Sequence, residues 1–203
     1  MAADTLDLIT LSESMDAIGR AGDTLSSDDT TRLEAFTTAV SRHLDWLCGP
    51  VVARTITSES HDGGGYLIAL DYSPVSNVDA LTVYANTTAT SLTSESNTTK
   101  SASDFLLEPS TGIVYRRGSN VDRQWEPGRR NVIVTYQAGR YATTATVDRR
   151  FKESAKIIVR HLFALEHGSG GELFAEGLPS GFAVPARALE LVAQDRRLNV
   201  LVG

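Results

Sequence analysis

Residues that could do chemistry are few in this chain and poorly grouped. His161 and His167 are six apart and so lie on different faces of one helix, while His43 belongs to another helix and His61 to a glycine turn. No pair has the i, i+4 spacing of a helical zinc site, and the lone Cys48 neither completes a ligand set nor permits an intrachain disulfide. "GLPSG" lacks the spacing of a nucleophile elbow. "HGSGG" follows a helix, the reverse of the strand-to-helix order that points backbone amides at a phosphate. The reading is a protein that is not an enzyme, with no catalytic residue, metal or cofactor.

A second group does suggest binding. Arg116, Arg117, Arg123, Trp125, Arg129 and Arg130 mix basic and aromatic side chains around one loop, as single-strand binders do on a sheet. Against this stand a net charge of −6 and a pI near 5.2, since a dedicated nucleic-acid binder is usually basic overall. Trp125 also reads simply as an anchor that folds its loop over the sheet.

Charge placement says more than the net value. Residues 1 to 31 hold seven acids, among them Asp28 and Asp29, against one base, whereas residues 116 to 160 hold eleven bases against four acids. Two solvated faces that merely differ would account for this. So would self-complementarity, in which the acidic edge of one subunit meets the basic edge of the next. Arginine outnumbers lysine sixteen to three, which points to a GC-rich coding genome.

The elements that position these residues follow from periodicity. A first short helix is expected over residues 10–19. A second begins at Ser26, with Asp29 three residues on, and carries Leu33, Phe36, Val40, Leu44 and Leu47 to the Gly49-Pro50 stop. From Val51 to Gly139 the pattern alternates, with strands near 51–59, 66–72, 78–85, 104–108, 112–117 and 131–137. Residues 86–103 contain eleven Ser or Thr and read as a loop or mobile hairpin tip. A third helix, about 148–167, places Phe151, Ala155, Ile158, Leu162 and Leu165 on one face and should pack on the second. Pro185 opens a short terminal helix after a glycine-rich linker.

The class is therefore α+β: a helical bundle drawn from both chain ends with a central, mostly antiparallel β-sheet. A single domain over 1–203 is expected, comprising N-terminal helices (1–49), a β-rich insert (50–140), a core helix and loop (141–182) and a C-terminal segment (183–203). No apolar stretch resembles a signal peptide or a membrane span, so a cytoplasmic product without membrane contact is expected, and the Asn86 and Asn97 glycosylation patterns read as incidental.

The order of "LITLSESMDAIG", "HLDWLCGP", "LDYSPVSNVDALTVY", "DFLLEPSTGIVYR", Trp125 with "PGRRNVIVTYQAG", and "VDRRFKESAKIIVRHLF" resembles the head-to-tail connector (adaptor, or head-completion) proteins of long-tailed bacteriophages over most of residues 6–167. The closing "SGFAVPARALELVAQDRR" is similar to actinobacteriophage members. The resemblance implies a virion protein assembled in the host cytoplasm and located at the head–tail interface. There it would form a ring of about twelve copies beneath the portal, hold the next neck or tail protein, and pass genomic DNA without sequence recognition. Asp28 and Asp29 with Arg116, Arg117, Arg129 and Arg130 would then be subunit contacts. The C-terminal segment would dock on the portal through Leu189, Val192, Leu198, Val200 and Leu201. A sheet-based binding module of a phage tail, for nucleic acid or glycan, is the alternative.

Overall fold

The computed structural model describes residues 4–95, 104–118, 121–167 and 184–196. They pack as two compact units, each with its own core: Met1–Val52 with Tyr141–Gly203, and Ala53–Arg140.

The first unit is helical. Helix α1 (Leu11–Ala17) starts in a capping box in which Glu13 N donates to Thr10 Oγ1 and Thr10 N donates to Glu13 Oε2. Helix α2 (Ser27–Cys48) is capped by Ser26, whose Oγ accepts from Asp29 N, and ends at Gly49 with φ 83°, a conformation that favours glycine. Its buried stripe departs from the purely apolar one expected, because Thr37 and Ser41 are buried beside Leu33, Val40 and Leu44 while Phe36 is only half-buried. Both hydroxyls donate to carbonyls one turn back, Thr37 to Leu33 and Ser41 to Thr37. Ser41 Oγ also accepts from Leu8 N, and the hydroxyls of Thr37 and Ser14 pair at 2.8 Å. Two small polar residues thus let the N-terminal segment lie against α2 with its polar groups satisfied.

Helix α3 (Arg149–His167) packs on α2, as its periodicity predicts. Phe151, Ala155 and Ile158 join the core, but Leu165 remains 41% exposed at the far end. Helix α4 (Ala186–Leu191) packs on α3, and the 3-10 turn Ala193–Asp195 packs on α4.

The second unit is all β. Strands β1 (Arg54–His61), β2 (Leu67–Ala69), β3 (Val75–Ala85), β4 (Thr88–Ser91), β5 (Phe105–Glu108), β6 (Ile113–Gly118), β7 (Val121–Asp122) and β8 (Val132–Ala138) divide into two antiparallel sheets. One has the order β1-β8-β3-β4, the other β2-β6-β5 with β7 beside β6. Strand β8 is central and buries Val132, Val134, Tyr136 and Ala138 in strict alternation. Ile68, Phe105 and Val114 of the smaller sheet join them in one core.

The segment expected to be a loop or mobile hairpin tip contains β4, which pairs with β3 across a turn at Asn86, φ 56°. All four residues of β4 are exposed. Backbone pairing holds this strand, which explains why hydrophobicity does not reveal it. Residues 96–103 of that segment lie outside the described residues.

Candidate functional site

The four arginines singled out from the sequence sit in two different environments. Arg116 lies on the inner side of β6, its guanidinium 5.9 Å from the centroid of the Trp125 ring, and donates to the carbonyls of Asp104 and Arg117. Arg117 faces the other way, donates to Glu95 Oε2 at 3.0 Å and pairs with Asp122. Both side chains are less than one-fifth exposed. They are engaged within the unit rather than offered as free charges. Trp125 is wholly buried, so it presents no face on which a base could stack.

Arg129 and Arg130 are exposed, with no ion pair recorded among the described residues. Their loop is stitched to the Asp62-to-Gly65 turn. Gly63 N donates to Asn131 Oδ1 and to Gly128 O, both at 2.9 Å, while Asn131 Nδ2 donates to Glu126 O at 2.7 Å. Arg130 has φ 51° and donates its N–H to Asp62 Oδ1. A Cβ on Gly63 would lie 1.9 Å from Glu126 O, so only glycine fits there. The sequence shows the glycine run and the arginines, but the asparagine joining them is visible only in the fold.

On the acidic side Asp28 is exposed and Asp29 half-buried in the first turn of α2, where carboxylates suit the helix dipole. Other acids of this end are used internally. Asp4 pairs with Arg42, and Glu13 pairs with Lys152 at 3.0 Å. Asp7 is 3% exposed and accepts from Thr38 Oγ1 and Asp4 N. Burial pushes its carboxyl above the ordinary range, against the hydrogen bond from Thr38.

Part of the C-terminal apolar stripe is used inside the helical unit by α4. Ala188 and Val192 are fully buried in the helical core, Leu189 is half-buried, and Ser154 Oγ donates to Ala188 O at 2.9 Å. Arg150 and Asp195 add an ion pair at 3.2 Å. An apolar stripe on a short helix shows that something covers it, and here that is the chain's own α3. Leu198, Val200 and Leu201 lie outside the described residues.

No family model and no curated protein matches this chain. Solved structures do match in fold. A chain of the neck of an empty gene transfer agent (GTA) particle, computed with C6 symmetry, superposes with a TM-score of 0.59 at 17% identity, over 100% of this chain and 96% of that one. A chain of the virion of a native GTA particle gives 0.60 at 17%, over 97% and 93%. A chain of the native GTA neck with C12 symmetry gives 0.50 at 16%, over 97% of each. This chain has the fold of those GTA chains.

Within that fold, one titratable cluster escaped the sequence reading. Glu59 of β1 accepts from Tyr136 Oη, from Asp71 N and from His61 Nε2 at 2.7 Å, and Tyr136 Oη accepts from Tyr72 N. Burial, reinforced by Glu59, raises the Tyr136 phenol far above its usual value. The carboxylate is occupied by protein donors at the irregularity between Ile56 and Glu59, so the cluster is a clamp on the β1 bulge. Among the described residues no group of three or more His, Cys, Asp or Glu could hold a metal ion, and no helix is long and apolar enough to cross a membrane.

Proposed function

We propose that this chain is a non-enzymatic subunit of the neck of a phage-like particle. Copies form a ring that joins the portal to the next neck or tail component and continues the DNA channel. The observation that carries this reading is the end-to-end match of both units to chains of GTA neck structures, two of them computed with C6 and C12 symmetry. Closed rings require heterologous contacts, in which one surface meets a different one on the next copy. Exposed charges of opposite sign, Asp28 on the helical unit and Arg129 with Arg130 on the β unit, suit such contacts. Arg116 and Arg117 act behind them, holding the smaller sheet together. With Val192 in the core, portal docking by the chain's end falls to Leu198, Val200 and Leu201.

Mixing the purified chain with the portal protein of the same particle tests the proposal. Native mass spectrometry should show a complex carrying a ring's worth of copies, about twelve, on one portal. A chain that never binds the portal would point to a different position in the particle.

A further inference from the structure

Two exposed faces of this chain are apolar. The first is on the smaller sheet, whose strands are antiparallel. A sheet of that kind with one face in water normally alternates apolar-in with polar-out. Its inner face follows the rule, with Ile68, Val114 and Leu107 opposite one another against the core. The outer face does not, because Leu67, Tyr115 and Leu106 share one row across β2, β6 and β5, and Ala69, Ile113 and Glu108 share the next. Leu67 is 48% and Leu106 36% exposed. The outer face of the larger sheet is built as water requires: Ser60 and Thr82 flank Ile133, and Thr55 and Asn77 flank Gln137.

The second face is on α2. From Leu33 to Cys48 the exposed residues are Ala35, Ala39 and Trp46, at spacings of 4 and 7 and therefore on one side of the helix. The outward side of a surface helix is normally charged or polar. Trp46 is 73% exposed, more than any other large hydrophobic side chain among the described residues, and its ring stacks on His43 with centroids 6.1 Å apart. The arginines bordering these faces are matched within the chain. Arg42 beside the α2 ridge pairs with Asp4 and Asp45, and Arg117 at the end of the sheet rows pairs with Glu95 and Asp122. Glu108 stands at the rim of the sheet face.

The two faces complement each other in shape. Ala35 and Ala39 leave a smooth ridge that runs about 16 Å to Trp46, while three strands make a flat bed about 10 Å across. A helix laid on a sheet is one of the stable layer packings. A closed ring needs two different surfaces on each copy that meet one another, and a ridge and a bed are such a pair. We propose that the α2 ridge of one copy, anchored by Trp46, seats on the outer face of the smaller sheet in the next copy, an inference that rests on the ring reading. A tryptophan buries about 150–250 Å², against the roughly 800 Å² per partner of a stable free pair. The contact therefore tightens copies that a ring has already brought together.

Site-directed cross-linking tests it without removing any large apolar side chain. One preparation carries Ala39→Cys on the ridge and another Ala69→Cys on the bed, both exposed positions, and the unaltered chain with its buried Cys48 is the control. Oxidised together in the presence of portal, the two preparations should form a mixed disulfide, identified by mass spectrometry of the linked peptides, and each oxidised alone should give less than about a tenth as much. Trp46→Ala and Leu106→Lys should each keep the melting temperature and weaken ring formation about tenfold or more. Rings that form on the portal without the mixed disulfide would overturn this contact and leave the ring standing. Links of Ala39→Cys chains to one another would show a symmetric helix contact and overturn it too. So would a chain carrying both cysteines that closes a disulfide within itself and none between copies. An unaltered chain that neither self-associates nor binds portal would remove the ring and this contact with it.

Discussion

The Arg116 guanidinium lies 5.9 Å from the centroid of the Trp125 ring, and that ring is completely enclosed. A cation and an aromatic that look like a nucleic-acid grip in the sequence are a piece of core with a charged lid. Trp125→Ala should therefore cost about 3–5 kcal/mol through the cavity it leaves. Arg116→Met, which keeps most of the aliphatic packing, should cost roughly 1–2 kcal/mol. Urea unfolding followed by circular dichroism measures both, and single-stranded DNA retention should be the same for both variants and the unaltered chain.

Gly63 and Gly65 lie in the same turn but differ in what surrounds them. A Cβ at Gly63 meets the Glu126 carbonyl at 1.9 Å, whereas at Gly65 the nearest atom, Leu67 O, is at an ordinary 3.5 Å. Gly63→Ala should destabilise the β unit by about 2–4 kcal/mol and Gly65→Ala by less than about 1 kcal/mol. Equal melting temperatures for the two variants would contradict the stitched-turn geometry.

The two arginine pairs should separate folding from assembly. Arg129→Glu with Arg130→Glu should leave the melting temperature nearly unchanged and weaken association, an effect that high salt diminishes. Arg117→Glu puts a third carboxylate between Glu95 and Asp122 and should lower the unfolding midpoint itself. Equal losses in both assays from both variants would place all the arginines in one role.

Asp7 gives the helical unit a pH dependence of known sign. Its carboxyl is raised above 3.8 chiefly by burial, so the folded chain holds that proton more tightly than the unfolded chain does. The resulting stability is fully present below the ordinary carboxylate value and is lost as pH rises through the raised folded value. Asp7→Asn should therefore gain on the unaltered chain at neutral pH, with the difference in melting temperature closing as pH falls into the carboxylate range. A gap that widens on acidification would contradict it.

What was legible in the sequence, and what was not, divides along physical lines. Helices α2 and α3 and strand β8 announce themselves because each buries one face, and burial writes a period of 3.6 or 2 into the residues. Strand β4 has no buried face, and the separation into two sheets depends on pairings between distant strands such as β1 with β8. Charge is visible in a sequence, but its partner is not. Nothing near Arg117 foretells Glu95, 22 residues away, and nothing near Tyr136 foretells Glu59, 77 residues away. The stripe on α4 was legible as apolar, yet an apolar stripe does not name what covers it. The residues that hold the candidate surface in place, Asn131 and Gly63, are joined only by the fold.

Cryo-electron microscopy of the particle whose genome encodes this chain tests the central claim most directly. The account predicts a ring of density between portal and tail into which the helical and β units both fit. Density for the chain found at the tail tip, inside the head or as an unringed monomer would contradict it.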